Sequence, residues 1–261
     1  MRLDEGQARR PARLSFVPEA FLFDLDGTLV DSEPLFELSE HEYLAAWGIH
    51  IGEELRPELF GRSAKGFFEV IEAHFPESGL NRLPLEERLA AKNENYFRVA
   101  AGRIRTFPAM EALARALAAR AFPLAIASSS NHLIIDFELE AVGLSSLFRE
   151  AVSAVDVARG KPEPDVLLEA ARRLGADPSR CVVFEDSLLG LRAAKAAGAF
   201  VVSLPAPDAP LGRYSGADLL VEGGPARADA ELLLEFLGLR GTAGGVAATN
   251  DRGPEGPLDK E

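Results

Sequence analysis

Short apolar runs that alternate with helical patterns are the feature that most constrains the fold of this chain. The apolar runs cover residues 20–25, 123–128, 150–153, 181–185 and 199–204. Helical patterns lie between them at 110–120, 132–142, 165–174 and 188–197. Each run has the length of a strand and is apolar throughout, as in strands that are covered on both faces. The alternation predicts an α/β fold: a Rossmann-like parallel sheet with helices on both sides.

One interval interrupts this rhythm, because residues 34–105 contain helical patterns and no convincing strand. The patterns cover 35–47, 64–74 and 85–99, and prolines separate them. They predict a helical cap at 34–102, inserted into a core formed by 18–33 and 103–240. An Arg-rich stretch at 1–17 is expected to be a flexible extension. The Gly-, Ala- and Pro-rich stretch at 241–261 is expected to be disordered.

The composition narrows the class of partner. The chain has 261 residues, 47% of them hydrophobic, and a formal net charge of −13, which argues against nucleic acid or an anionic membrane as partner. No apolar run approaches the roughly 18 residues of a membrane span. Cys181 is the only cysteine, so no disulfide can form within the chain, and a cytoplasmic protein is expected. We expect a monomer or a weak dimer.

Two carboxylates, Asp24 and Asp26, stand at the end of the first apolar run. Alternate residues of a strand point to the same side, so the two side chains converge unless the loop has already begun. Two neighbouring carboxylates repel each other, and a fold tolerates them mainly around a cation. An exposed acidic turn is the alternative, but the apolar run before the pair places it at the edge of a core.

Polar residues also follow the later strands. A serine run beginning at Ser128 ends the second apolar run, Lys161 precedes a proline, and Glu185 and Asp186 end the run at 181–185. Each feature alone is weak or moderate evidence, since serines often cap helices and most lysines are solvated. Ligands of open α/β sheets bind beyond the carboxyl ends of the strands, so these residues are predicted to meet at one edge.

With these motifs in this order, residues 21–204 resemble the haloacid dehalogenase-like superfamily, in particular its phosphatase and β-phosphoglucomutase branch with a helical cap. The resemblance implies that Asp24 is the nucleophile and Asp26 the general acid/base. It implies that Ser128 binds the transferring phosphoryl group and that Lys161 bridges this group and Asp24.

The resemblance also implies Mg²⁺ as cofactor. The metal would be held by Asp24, Asp26 and Asp186, with Glu185 as a supporting acid near its waters. Three further residues are predicted to bind the phosphate: Gly27, Thr28 and Ser129.

Charge explains why such a site needs cations. Two unit charges 4 Å apart repel by about 4 kcal/mol at an effective dielectric of 20, so a carboxylate cannot approach a dianionic phosphate uncompensated. Magnesium prefers carboxylate and phosphate oxygens, and lysine adds a fixed positive charge. A phosphoryl-aspartate then divides one difficult displacement into two easier ones.

Three other functions compete with that of a phosphatase. A haloacid dehalogenase needs no second acid, so Asp26 argues against it. A sugar phosphomutase is favoured by the motif that begins at Lys92, but Phe36 and Ala64 occupy the positions where β-phosphoglucomutases carry a cap His and Arg. A non-catalytic binding module would be expected to lose Asp24, Lys161 or Asp186, and this chain keeps all three.

The cap is expected to choose the leaving group, because the core is occupied with phosphate. Gly61 and Arg62 form the main candidate specificity segment, and Lys65 and Lys92 are further candidates, although each cation could equally be a solvated surface residue. The sequence thus predicts a magnesium-dependent phosphatase of small phosphorylated metabolites, above all sugar phosphates. A sugar phosphomutase is the alternative.

Overall fold

The computed structural model describes residues 14–52 and 54–239, so most of the predicted extension and the tail at 241–261 lie outside the described residues. Six strands occur in this part of the chain: β1 Ala20–Phe23, β2 Leu124–Ser128, β3 Glu150–Ser153, β4 Cys181–Glu185, β5 Phe200–Ser203 and β6 Leu219–Leu220. Nine α-helices accompany them in the same residues: α1 Glu33–Ala45, α2 Arg56–Leu59, α3 Ala64–His74, α4 Leu85–Ala100, α5 Pro108–Ala118, α6 His132–Ala141, α7 Asp165–Leu174, α8 Leu188–Ala196 and α9 Ala230–Phe236. None of the described helices is both long and apolar enough to cross a membrane.

The strands form one sheet in the order β3-β2-β1-β4-β5-β6, and all its pairs are parallel. The predicted α/β class with a Rossmann-like parallel sheet is therefore confirmed. β1 lies between β2 and β4, so the chain leaves β1 toward one side of the sheet and later returns to fill the other. Ligand sites form at such a reversal of strand order, beyond the carboxyl ends of the strands.

The alternation of side chains along β1 explains why its run is apolar throughout. Phe21 and Phe23 pack in a cluster with residues of α5, α6 and α9. Ala20 and Leu22 pack in a second cluster with residues of α7 and α8. Helices thus cover both faces of the sheet, and neither face of β1 meets water.

Helices α1 to α4 lie between β1 and β2 and contain a third apolar cluster. α1 packs against α4, and α4 also contacts α6 of the sheet layer. The third cluster consists of Tyr43, Leu44, Ile49, Leu55, Phe67, Phe68, Val70, Ile71 and Leu80. The helices lie where the sequence predicts a cap, although the proposed boundaries 34–102 stay a prediction.

Several details differ from the sequence prediction. β1 ends at Phe23, two residues earlier than its apolar run, and the short elements α2 and β6 were not predicted. β6 has two residues, which is too short for a periodic signal. Within the predicted flexible extension, Leu14 and Phe16 pack against the first core cluster, and the Leu14 amide donates to the Phe236 carbonyl at 2.9 Å.

Phe184 tests the packing that holds the central strands together. Its ring is fully buried, with its centroid 4.6 Å from that of Phe23 and 6.3 Å from that of Phe21. Phe184→Ala is expected to lower the free energy of unfolding by about 3–5 kcal/mol, because a large cavity opens beside β1. Urea denaturation measures this. Leu232→Ala, at a position 40% exposed, is the control and should change it by about 0.5 kcal/mol or less; equal losses would contradict the packing described here.

Candidate active site

Two carboxylates at the ends of β1 and β4 contact the same lysine. Asp24 directly follows β1, and its amide donates to the Phe184 carbonyl of β4 at 2.9 Å. Glu185 is the last residue of β4. Lys161 Nζ lies 2.5 Å from Asp24 Oδ1 and 2.6 Å from Glu185 Oε2, and the lysine side chain is 2% exposed. Parallel pairing of β1 with β4 therefore creates a buried, charged centre at the carboxyl edge of the sheet.

Asp186 adds a third carboxylate to this centre. One oxygen each of Asp24, Glu185 and Asp186 lies within 4.8 Å of the others, and all three residues are buried. Thr28 Oγ1 donates to Asp186 Oδ1 at 3.2 Å, which ties the loop after β1 to the loop after β4. Three carboxylates around a single ammonium group leave negative charge uncompensated in a buried place, and an oxygen-seeking divalent cation fits this donor set.

The electrostatics of the cluster agree with this reading. Burial raises the pKa of Asp24 well above its ordinary value, and the neighbouring Glu185 raises it further. The pKa of Asp186 is raised for the same reasons. Burial alone would lower the pKa of Lys161, but the carboxylates of Asp24 and Glu185 raise it above its usual range. Lys161 is thus a permanent cation, while the acids lack sufficient positive charge around them.

Two glycines make room for these carboxylates. Gly27 has φ +73°, and a Cβ there would lie 2.3 Å from Asp186 Oδ2. A Cβ on Gly190, in the first turn of α8, would lie 1.8 Å from Glu185 Cδ. Any side chain at either position would displace an acid of the cluster. Gly27 was predicted to bind phosphate; the structure places it against Asp186.

Asp26 makes a separate set of hydrogen bonds. Its Oδ1 accepts from Ser32 Oγ at 2.8 Å, and its Oδ2 accepts from Ser130 Oγ at 2.7 Å and from Ser128 Oγ at 3.3 Å. β1 ends at Phe23, so Asp24 and Asp26 both follow the strand, and strand alternation does not decide whether their side chains converge. Among the described residues, the cluster of acids that could hold a metal does not include Asp26, whose predicted metal contact stays a prediction.

Ser32 and Ser130 are site residues that sequence reasoning missed. Ser32 is the N-cap residue of α1, yet its side chain makes no capping bond and turns to Asp26 instead. Ser130 belongs to the serine run that was recognised, but only its first two members were assigned roles. A capping serine that serves a carboxylate cannot be told from an ordinary cap by sequence alone.

The loop at Gly61 lies over the end of the sheet. The Gly61 carbonyl accepts from Ser129 Oγ at 3.2 Å, and a Cβ on Gly61 would lie 3.0 Å from Ser187 Cβ. Gly61 has φ +74°, so this close approach of the loop to the sheet edge requires glycine. Arg62 is exposed, and its Nε donates to the Glu58 carbonyl at 2.5 Å.

The two predicted cap lysines lie in opposite environments. Lys65 is exposed, with its Nζ 3.8 Å from Glu69 Oε1 on the same helix. Lys92 is buried: its Nζ lies 2.8 Å from Glu40 Oε1, 4.8 Å from the Phe67 ring centroid and 5.3 Å from the Phe36 ring centroid. Of the two, only Lys92 is an internal cation.

Glu33 connects the helical segment to the acid cluster and was not predicted. Its Cγ lies 3.3 Å from the Cβ position of Gly27. Burial, together with the negative charges of Asp26 and Glu40, raises the pKa of Glu33 to about 8. The residue lies in the first turn of α1, where an acid is ordinarily explained by its favourable interaction with the helix dipole alone.

A buried bond joins α4 to α6 beside Asp26. Tyr96 Oη donates to Glu138 Oε1, and both residues are buried. Burial, and then the charge of Asp26, raise the pKa of Glu138 well above its ordinary value. About one turn before Tyr96 on α4, Asn93 Oδ1 accepts a hydrogen bond from Asn131 Nδ2 at 3.2 Å. These contacts hold the helical segment close to the serine loop.

The fold and this geometry define an α/β enzyme with a buried acid cluster, a fixed lysine and an overlying helical segment. A family model described as haloacid dehalogenase-like hydrolase matches residues 18–198. The chain belongs to this family.

Similar proteins agree with this assignment. Hexitol phosphatase B of Escherichia coli (strain K12) is 31% identical over 194 residues, which cover 73% of this chain and 85% of that protein. A bifunctional riboflavin kinase/FMN phosphatase of Arabidopsis thaliana is 29% identical over 203 residues, 77% of this chain, and the match spans 52% of that longer relative. The crystal structure of CbbY from Rhodobacter sphaeroides in complex with phosphate superposes with a TM-score of 0.73 at 29% identity, covering 80% of this chain and 96% of that one. The predicted family and class of enzyme, a phosphatase of the haloacid dehalogenase-like type, are confirmed.

Gly190 tests whether the position of Glu185 matters for activity. Gly190→Ala places a methyl group where the Glu185 carboxyl lies, so the acid must leave Lys161. Hydrolysis of p-nitrophenyl phosphate is expected to fall by about 100-fold, the scale of a displacement of about 1 Å at an active site. Gly212→Ala is the matched control, since nothing lies within 4 Å of its Cβ position. Full activity of a folded Gly190→Ala enzyme would show that Glu185 is dispensable.

Proposed function

We propose that the protein is a magnesium-dependent phosphatase of small phosphorylated metabolites, above all sugar phosphates, and that it acts through a phosphoryl-aspartate on Asp24. The observation that carries this proposal is the buried cluster of Asp24, Glu185 and Asp186 with Lys161 bonded to Asp24. Membership of the hydrolase family and the similarity to hexitol phosphatase B support it. The buried free thiol of Cys181 is compatible with the cytoplasmic location that we also propose.

The donor set supports magnesium as the cofactor. Asp24 and Asp186 would hold the metal, and Glu185 would support its water ligands. Bound Mg²⁺ would supply positive charge to the phosphoryl oxygens and to the attacking carboxylate. The buried acids indicate that the site needs positive charge. Burial raises the pKa of Asp24 and of Asp186, and the charge of Glu185 raises both.

Asp24 is the nucleophile in this proposal. Its carboxylate oxygen forms a bond to phosphorus while the bond from phosphorus to the leaving oxygen breaks. Lys161, held by Asp24 and Glu185, places a fixed positive charge beside the transferring group. Ser128, Ser129 and Thr28 are proposed to donate hydrogen bonds to phosphoryl oxygens, with the hydroxyls released from the contacts that they make here.

Asp26 is proposed as the general acid/base. It gives a proton to the leaving oxygen in the first step and takes one from water as that water attacks phosphorus and releases Asp24. Such a group typically contributes about 10²–10⁴-fold in rate. The hydroxyls of Ser32 and Ser130 support this role, because they hold both carboxylate oxygens of Asp26 in a defined orientation.

The helical segment is proposed as a cap at 34–102 that chooses the leaving group. Gly61 supports this because it touches the serine loop, and Lys92 supports it because it is buried beside Phe36. Arg62 and Lys65 lie on the exposed surface of this segment. As specificity residues, they would have to act through a movement of the cap.

The sugar phosphomutase stays the second candidate because of Lys92. A mutase must hold a second phosphate while its intermediate turns over. The buried Lys92 is a cation in a suitable segment, but Glu40 already neutralises it. Phe36, whose ring stacks on Tyr96 with centroids 4.0 Å apart, provides no hydrogen bond to a phosphate. Hydrolysis is therefore the favoured reaction.

Asp24→Asn tests the proposed nucleophile. Phosphate release from p-nitrophenyl phosphate with Mg²⁺ is expected to fall at least about 1,000-fold, because an amide cannot form the acyl phosphate. Asp31→Asn, the same change at an exposed position of the same loop, should retain wild-type activity. Activity of Asp24→Asn equal to that of the wild type, or full wild-type activity in excess chelator, would contradict the mechanism.

The same preparation separates phosphatase from mutase. With β-glucose 1-phosphate and a trace of glucose 1,6-bisphosphate, a phosphatase releases free phosphate. Accumulation of glucose 6-phosphate with little free phosphate would instead support the mutase.

A further inference from the structure

Lys92, which the sequence suggests as a substrate-binding cation, is already paired with another side chain of the helical segment. Lys92 of α4 and Glu40 of α1 form an ion pair of 2.8 Å between side chains that are 8% and 18% exposed. The rings of Phe36 and Phe67 flank the ammonium group. We call Glu33, Phe36, Glu40, Phe67 and Lys92 the inner cap face.

The inner cap face lies next to the catalytic edge. Glu33 Cγ lies 3.3 Å from the Cβ position of Gly27 in the loop after β1, and Glu33 interacts electrostatically with Glu40 and Lys92 as well as with Asp24 and Asp26. Asn93, the neighbour of Lys92, accepts a hydrogen bond from Asn131, which directly follows the serine run. A leaving group attached to a phosphate at Asp24 would therefore face these residues.

This neighbourhood is rich in acidic groups. Within the described part of the chain, seven acidic side chains and two lysines interact electrostatically in one connected set. Its members are Asp24, Asp26, Glu33, Glu40, Glu138, Glu185, Asp186, Lys92 and Lys161. On the phosphate side, Lys161 supplies positive charge, and a bound divalent cation would supply more. On the cap side, Lys92 is accompanied by Glu40, with Glu33 close to both.

We propose that the inner cap face selects phosphate monoesters whose leaving group is uncharged and rich in hydroxyls, and that it discriminates against substrates with a second phosphate. This inference rests on the proposed phosphatase function and names its substrate class. Carboxyl groups form hydrogen bonds with sugar or polyol hydroxyls, whereas a second phosphate would find the charge of Lys92 already paired with Glu40. Glu40 sets this preference, because its ion pair with Lys92 makes the lysine charge unavailable to a second phosphate.

The test compares initial rates of phosphate release from fructose 1-phosphate and fructose 1,6-bisphosphate by the full-length enzyme with Mg²⁺. The two probes differ in one phosphate group. The wild type is expected to prefer the monophosphate by at least about tenfold in kcat/KM, which corresponds to about 1.4 kcal/mol.

Two variants should move this preference in opposite directions. Glu40→Gln frees the charge of Lys92 and should shift the ratio of the two kcat/KM values about tenfold toward the bisphosphate, mainly through KM. Lys92→Met leaves Glu40 without its partner and should shift the ratio toward the monophosphate. Glu42→Gln, which frees the exposed Arg98 on the outer side of the same helix pair, is the matched control and should leave the ratio unchanged.

The outcomes separate this inference from the function on which it rests. If the wild type shows no magnesium-dependent hydrolysis of p-nitrophenyl phosphate, the proposed phosphatase function itself is refuted. An active enzyme that hydrolyses the bisphosphate as well as the monophosphate, or neither sugar phosphate, would overturn the inference alone. An unchanged ratio in both folded inner-face variants would overturn it as well.

Discussion

The buried lysine between two carboxylates at the ends of β1 and β4 is the interaction on which the rest of the site depends. Lys161 bonds both Asp24 and Glu185, and a carboxylate oxygen of Asp186 lies within 4.8 Å of theirs. Breaking such a buried set by removing one partner leaves an uncompensated charge, which is costly in a low-dielectric interior. The fold therefore concentrates negative charge where a divalent cation and a phosphoryl group could restore the balance.

The topology supplies this concentration at one edge. β1 and β4 are distant in sequence but adjacent in the sheet, so their last residues become neighbours. Gly27 and Gly190 then leave space for carboxylates at positions where any side chain would collide. The helices inserted after β1 add Glu33, Glu40 and Lys92 above the same edge. The central sheet thus positions the acid cluster and its lysine, and the inserted helices supply the charged side chains around them.

The sequence predicted the sheet well because apolar runs and helical periods are local signals. Helices α3 and α7 begin and end where their patterns do, and Lys161 lies beside Asp24 as the order of motifs implied. Three-dimensional neighbours were harder to foresee. Pairing of Lys92 with Glu40 joins two helices, and the use of Ser32 by Asp26 depends on where β1 ends. Neither contact has a signature in the spacing of residues along the chain.

The central claim is that Asp24, Asp186 and Glu185 form a divalent cation site beside Lys161. The most direct measurement is anomalous X-ray diffraction from crystals grown with Mn²⁺ in place of Mg²⁺ and with vanadate as a phosphoryl analogue. We predict one strong manganese peak at the carboxylates of Asp24 and Asp186, with the vanadate against Asp24. Manganese bound only elsewhere, with this cluster still closed around Lys161 alone, would contradict the account.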